Sequence, residues 1–327
     1  MVTIKDVAKK SGVAISTVSA VINETKYVSE ELKEKVNRTI EELNYRPNQA
    51  ARQLKNKKTK IIGVLIPELS NSFFTELLNS IEKHSMENEY QIFLSMTHEE
   101  ELNEVKAVKS MLDYGVDGFL LATIDDSKSE ALEIIKKSNL PYVFLNRSPK
   151  EAKSHVIQLD NTRAGEIAAH YAIEYQFERI LFIGKNRINS LERENAFKEV
   201  LFNNKYSVEN TIYCEYSIQD SYEKILQYLK WNPVPDFIYT ATDVQAYGAI
   251  IALLESGFKI PEDVRVLGTD NNNFSKFFKV PLSTIDGKAS HIGYRGANVL
   301  WDILQSQSGN EEVIYELVEP KIIIRES

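Results

Sequence analysis

Apolar residues recur along this chain with two different periods, and the change comes near residue 60. Before it, Ile4, Val7 and Ala8 share one face of a short helix that Thr3 can cap, with Asp6 at its third position, and Gly12 then breaks the chain. Val18, Val21 and Ile22 follow at i, i+3 and i+4, which turns Ile15, Ser16, Thr17, Ser19 and Ala20 outward. A third helix is predicted after Ser29, with Leu32, Val36, Ile40 and Leu43 on its inner face. Beyond residue 60 the pattern turns into short β-branched or aromatic runs at Ile61 to Ile66, Ile92 to Met96, Gly118 to Ala122, Tyr142 to Leu145, Arg179 to Ile183, Phe237 to Thr240 and Val264 to Gly268. Amphipathic stretches of roughly ten to twenty residues separate them. That alternation predicts an α/β body, a parallel sheet with helices on both faces, and the length holds two such units.

Charge divides at the same place. The first sixty residues carry 13 Lys and Arg against 7 Asp and Glu, and the rest carry 26 against 40, so a net +6 faces a net −14 within a total of −8. A basic head on an acidic body suits a polyanion such as DNA at the head and some other task for the body. Two helices joined at a Gly turn, the second presenting small hydroxylic residues, fit a helix-turn-helix; on spacing alone, a small helical subdomain packed on the body is the other reading.

Several classes drop out. No window reaches the roughly eighteen unbroken apolar residues of a membrane span, and Met1-Val-Thr-Ile-Lys-Asp lacks a signal-peptide core, so a cytoplasmic protein with no membrane partner is expected. A lone Cys214 excludes an internal disulfide, and no Cys and His stand at zinc spacing, so neither a metal nor a cofactor is expected. Phosphate loops and nucleophile motifs are missing and the five His are scattered, which argues against an enzyme. A transport-type sugar binder would explain the body but not the basic head. An architectural DNA binder would explain the head but not the body.

The run Thr3-Ile-Lys-Asp-Val-Ala-Lys-Lys-Ser-Gly-Val-Ala-Ile-Ser-Thr-Val-Ser-Ala-Val-Ile-Asn, then Val28-Ser-Glu-Glu and Leu43-Asn-Tyr-Arg-Pro-Asn, resembles the lactose-repressor (LacI/GalR) family of bacterial transcription regulators. The likeness continues through Gly63-Val-Leu-Ile-Pro, Asn71-Ser-Phe-Phe, Asp117-Gly, Asp160-Asn, Gly268-Thr-Asp-Asn and Ile324-Arg-Glu-Ser, so it covers essentially the whole chain. It implies a helix-turn-helix domain at 1–47, a hinge helix and linker at 48–60, and an effector-binding and dimerisation body at 61–327. That body would have two lobes resembling periplasmic sugar-binding proteins, the first of about 61–160 and 288–318 and the second of about 161–287 and 319–327. The implied function is that of a nucleoid-associated repressor, a homodimer on near-palindromic operator DNA, controlled by a sugar-like effector between the lobes. One branch of the family answers instead to a phosphorylated carrier protein. The chain stops at Ser327 without added Leu heptads, so a dimer is expected.

Carried over by position, the DNA contacts are Thr3, Ile15, Ser16, Thr17, Ser19, Ala20 and Asn23 in the head and Asn48, Ala51, Leu54 and Lys55 in the hinge, with Leu54 wedging between base pairs in the minor groove. Ala14 stands where the family commonly has Ser, and Ala20 where many members have Arg. Losing that Arg removes a guanine contact that discriminates by roughly 1–3 kcal/mol, so a different half-site is expected.

Ligands of open α/β sheets lie beyond the carboxyl ends of strands, which directs attention to Asn71-Ser-Phe-Phe, Asn146-Arg147, Arg187, Arg193, Tyr216, Asp243 and Asp270. Aromatic faces with planar hydrogen-bonding groups suit a sugar. The resemblance assigns Phe74, Asn146, Arg187, Arg193, Tyr216 and Asp270 to the effector, with Asp270 accepting from its hydroxyls. Phe74 and Tyr216 read equally as core, and Asp243 also reads as the cap of a helix starting at Val244. Ser72 and Asp286-Gly-Lys depart from the family's usual Pro and Gln-bearing triplet. The two arginines fit a sugar acid or sugar phosphate, or one of them pairs with Asp270.

Overall fold

The computed structural model describes residues 2–23, 26–45, 58–150, 152–306 and 312–327. They fall into two compact units, 1–59 and 60–327.

In the first unit, three helices form where the periodicity places them: α1 (Ile4–Ser11), α2 (Ile15–Asn23) and α3 (Glu30–Glu42). The Asp6 carboxylate accepts from the Thr3 hydroxyl at 2.7 Å and the Thr3 N–H at 2.8 Å, closing the first turn of α1. Those two bonds hold Asp6 below the ordinary carboxylate pKa. Gly12 ends the helix at φ 66°, a left-handed position that costs glycine nothing. Val7, Ala8, Val18, Val36 and Tyr45 make the core. Two expectations fail here. Ala20 is only 8% exposed instead of turned outward, because a methyl lies close to its helix and leans on the preceding turn. Leu32 is 37% exposed, since the first turn of α3 runs past so small a core.

The second unit contains twelve described strands. They are β1 (Ile61–Ile66), β2 (Gln91–Met96), β3 (Gly118–Leu121), β4 (Tyr142–Leu145), β5 (His155–Leu159) and β6 (Ile180–Gly184), followed by β7 (Val208–Tyr213), β8 (Phe237–Thr240), β9 (Arg265–Asp270), β10 (Ser283–Asp286), β11 (Tyr315–Val318) and β12 (Lys321–Ile323). One sheet runs β11-β5-β4-β3-β1-β2 with every pairing parallel, and the other runs β12-β10-β9-β8-β6-β7, antiparallel only where β12 meets β10. The chain therefore passes between the sheets three times, after β5, after β10 and after β11.

Helices α4 (Ser72–Glu87), α5 (Glu101–Tyr114), α6 (Glu130–Ser138) and α11 (Ala289–Gln305) cover the first sheet. Helices α7 (Asn161–Glu174), α8 (Ile188–Asn203), α9 (Ile218–Leu229) and α10 (Asp243–Glu255) belong with the second. The central strands are buried on both faces, as parallel sheets require; β1 reads Ile-Ile-Gly-Val-Leu-Ile with only its first residue partly exposed. Between α7 and α8, a Cβ on Gly165 would collide with the Arg193 carbonyl oxygen. The bare glycine lets the two helices touch, and that contact fixes where Arg193 stands.

Candidate functional site

The carboxyl ends of both sheets face one cleft. From the first lobe, the Asn71 side chain caps α4 by accepting from the Phe73 N–H at 3.0 Å, which aims Phe73 and Phe74 into the cleft as an edge-to-face pair with centroids 5.2 Å apart. Asn146 and Arg147 follow β4, Asn146 in the left-handed region at φ 64°. From the second lobe come Arg187, the residue before α8, then Asn189 and Arg193 on that helix, with Tyr216 after β7. Thr242 caps α10 by accepting from the Gln245 N–H, and Asp270 ends β9 at φ 125°. Non-glycine residues held in that region concentrate where the surroundings fix them, as ligand sites do.

These side chains enclose about 30 Å³, room for a water or two and no sugar ring. The lobes are closed on each other. Asn71 Nδ2 donates to Asp270 Oδ2 at 3.2 Å, and Asn189 Nδ2 donates to the Asn146 carbonyl at 3.0 Å, each bond joining one lobe to the other.

Charge is unevenly settled. Asp270 is 8% exposed, and burial pushes its pKa up to about 8 although the nearby Arg193 charge and the Asn71 hydrogen bond pull the other way. Arg193 directs its guanidinium to Asn161 Oδ1 at 2.9 Å and to the Ala241 carbonyl. Arg147 is 5% exposed and bonds the Ala122 carbonyl at 3.1 Å and Glu99 at 3.1 Å. Burial also pushes the Tyr216 hydroxyl up to about 12, so it remains a neutral donor.

Of the residues singled out from sequence, Phe74, Asn146, Arg187, Arg193, Tyr216 and Asp270 line this cavity together. Asp243 does not, and it is not a helix cap either. It is fully buried as the first residue of α10, behind the wall, where it accepts from the Asn272 N–H at 2.8 Å and from the Ser275 and Thr284 hydroxyls. Desolvation raises it to about 6 despite those donors, and a carboxylate already bonded inward has nothing left for a ligand. The cap is Thr242, whose hydroxyl reaches the Gln245 N–H.

Asn71, Phe73, Arg147, Asn189 and Thr242 also line the cavity. Asn71, Phe73 and Arg147 sit in strand-end runs that sequence marks. Thr242 lies two residues after β8 and was legible by the same rule; so was Asn189, which stands between Arg187 and Arg193 in the run after β6.

On the head, Thr3 and Ser16 are exposed, Ile15 is 45% exposed, and Thr17 and Ser19 are half-buried, while Asn23 ends α2. Asn48, Ala51, Leu54 and Lys55 lie outside the described residues. Among the described residues no helix is long and apolar enough to cross a membrane, and no group of three or more His, Cys, Asp or Glu could hold a metal ion.

Two family models match the chain, bacterial regulatory proteins of the lacI family over residues 3–48 and the periplasmic binding protein domain over residues 62–308. The helix-turn-helix transcriptional repressor PurR of Histophilus somni strain 129Pt is 32% identical over 335 residues, covering all of this chain and 99% of that protein. Among solved structures, a LacI-family transcriptional regulator from Silicibacter pomeroyi superposes with a TM-score of 0.88 at 26% identity, covering 100% of this chain and 99% of the other. The lac repressor dimer bound to operator and the anti-inducer ONPF gives 0.88 at 24% identity, covering 99% and 98%, a likeness of fold. A LacI-family regulator from Enterococcus faecium with bound ribose gives 0.73 at 25% identity, covering 82% and 98%.

Proposed function

The chain belongs to the lacI family of bacterial regulatory proteins and is a DNA-binding transcription repressor; from that premise we propose that a small polyhydroxylated effector, bound between the two lobes of 60–327, sets its operator affinity. The observation that carries this reading is the composition of the cleft. One buried carboxyl group, Asp270, stands among neutral hydrogen-bonding groups from both lobes, Asn71, Asn146, Asn189 and Thr242, and the guanidiniums of Arg147, Arg187 and Arg193, beside the aromatic rings of Phe73, Phe74 and Tyr216. A sugar ring offers a C–H face to stack and hydroxyls that both donate and accept, and this lining answers each. The ribose held by the Enterococcus faecium regulator is a ligand of that chemical type.

The protein works by binding alone, in the cytoplasm, as a homodimer that places two α2 helices on a near-palindromic operator. Thr3, Ile15, Ser16, Thr17, Ser19 and Asn23 meet DNA from the head, and Ala20 packs beneath them. Asn48, Ala51, Leu54 and Lys55 meet it from the hinge. The effector changes operator affinity only through its different affinity for open and closed lobes. Calorimetric titration with neutral sugars alongside an operator gel shift tests this. The reading fails if no sugar binds, or if operator binding ignores one that does.

A further inference from the structure

Outside the cavity lining, the loop between β2 and α5 brings a single carboxylate to three cations. Glu99 Oε1 accepts from Arg147 of its own lobe at 3.1 Å, and Oε2 accepts from Lys185 of the other lobe at 2.6 Å. Arg187, also of the other lobe, donates to the Glu99 backbone carbonyl at 3.1 Å and lies 3.4 Å from its carboxylate. The Glu99 side chain keeps 13% of its exposure and Arg147 5%, so solvent screens these pairs weakly. His98 and Glu99 both hold left-handed backbone, at φ 53° and 58°. Two successive non-glycine residues stay there only when something fixes them. Asp125 lies 3.7 Å from Arg147 and 3.8 Å from Arg187, supplying a second negative charge on the same side. A space of about 510 Å³ opens on the far side of Arg187, beyond the closed pocket.

We propose that Glu99 is an interlobe clasp that closes the cleft and neutralises Arg147 and Arg187, while Arg193 is turned to Asn161 and the Ala241 carbonyl, so that the pocket behind it takes an uncharged effector. This rests on the reading of the cleft as the effector site. The bonds from Asn71 to Asp270 and from Asn189 to Asn146 also cross between lobes, but they join through neutral donors; charge joins the lobes at Glu99 and, at the longer distance of 3.8 Å, between Asp125 and Arg187. Because Arg147 and Arg187 line the pocket while Glu99 does not, a ligand inside need not displace the clasp, and an anion inside would find both guanidiniums already matched. An effector enters only when the clasp opens.

The test uses the full chain and Glu99→Gln, which keeps the shape and removes the charge. Hydrogen exchange in segments 144–148 and 184–190, on opposite sides of the cleft, is expected to speed up by about tenfold or more, the change that losing charge-assisted hydrogen bonds brings. Lys185→Gln breaks the same contact from the other lobe and carries the same expectation. Inorganic phosphate is the second probe. It should bind Glu99→Gln on the order of tenfold more tightly than the parent, because the freed cations then accept an anion. Unchanged exchange in both variants would remove the clasp, and a parent that binds phosphate as tightly as Glu99→Gln would overturn the uncharged pocket. If the exchange and phosphate differences both hold while no neutral sugar binds, the clasp stands and the effector reading falls.

Discussion

The head and the cleft hold their polar residues in opposite ways. On α2, Ile15 and Ser16 stand in solvent over a small apolar core, on the surface proposed to meet DNA. In the cleft, Arg147, Arg193 and Asp270 are each no more than 8% exposed and already meet protein groups. A recognition surface of the first kind is separable from stability. The second kind is not, because Asn71, Asn146, Arg187, Asn189 and Asp270, which a ligand would touch, also hold one lobe against the other. Substitutions in the head should therefore change DNA binding alone, whereas those in the cleft should change ligand binding, lobe closure and stability together.

The largest expected departure lies in the hinge. On the proposed reading Leu54 is the side chain that unstacks and bends the operator, so in Leu54→Ala operator affinity measured by gel shift should fall steeply while calorimetric sugar binding stays at the parent value. Operator binding equal to the parent's would remove Leu54 from the interface.

Gly165→Val acts on the other region. With no space before the Arg193 carbonyl, α7 and α8 must part, and overpacking of this kind costs about 1–3 kcal/mol. In scanning calorimetry the transition of the body should move down and sugar binding should weaken, since Arg193 moves with its helix. Full stability in this variant would mean that the helix contact does not position the site.

Asp270→Asn retains the shape and exchanges a carboxyl that burial keeps protonated below about pH 8 for an amide. Sugar affinity is expected to drop by roughly 0.5–1.5 kcal/mol, the range for a neutral hydrogen bond, with operator binding in the absence of sugar unchanged. Weakened operator binding without sugar would make Asp270 a structural group.

The last effect is on pH dependence. Folding raises Asp270 from 3.8 to about 8, so the native state keeps a proton that the unfolded chain releases. Its contribution is fully present below 3.8 and is lost as pH rises towards 8, whereas the Glu99 carboxyl, held at about 2 by its cations against the cost of burial, contributes above 4.5 and loses that contribution as pH falls towards 2. Urea midpoints from about pH 5 to 9 should decline more in the parent than in Asp270→Asn. Parallel curves would show that Asp270 titrates normally.

How much of this was legible depended on whether a signal was local. The strands at 61–66, 118–121, 142–145 and 237–240 are short apolar runs because parallel strands are buried on both faces. By contrast β7, Val-Glu-Asn-Thr-Ile-Tyr, is an edge strand with polar residues in solvent, and β11 and β12 are edges too, so none stands out as an apolar run. In the cleft, strand ends pointed to Asp270, Asn146 and Arg193, but burial reversed the order at Asp243 and Thr242. Sequence gives the charged residue the ligand role, whereas the fold sends that charge inward and leaves the neutral cap facing the cavity. Glu99 carries no motif. Its partners are 48, 86 and 88 residues away, and only closure of the lobes assembles them.

The most direct test of effector control is an operator gel shift of the full chain, titrated with whichever neutral sugar calorimetry shows to bind, run on the parent and Asp270→Asn in parallel. The parent's operator affinity should change by about 1–3 kcal/mol as the sugar saturates, the usual size of coupling between two sites, and Asp270→Asn should start from the same affinity and need more sugar to respond. A sugar that saturates the parent's cleft without changing its operator affinity would contradict the account.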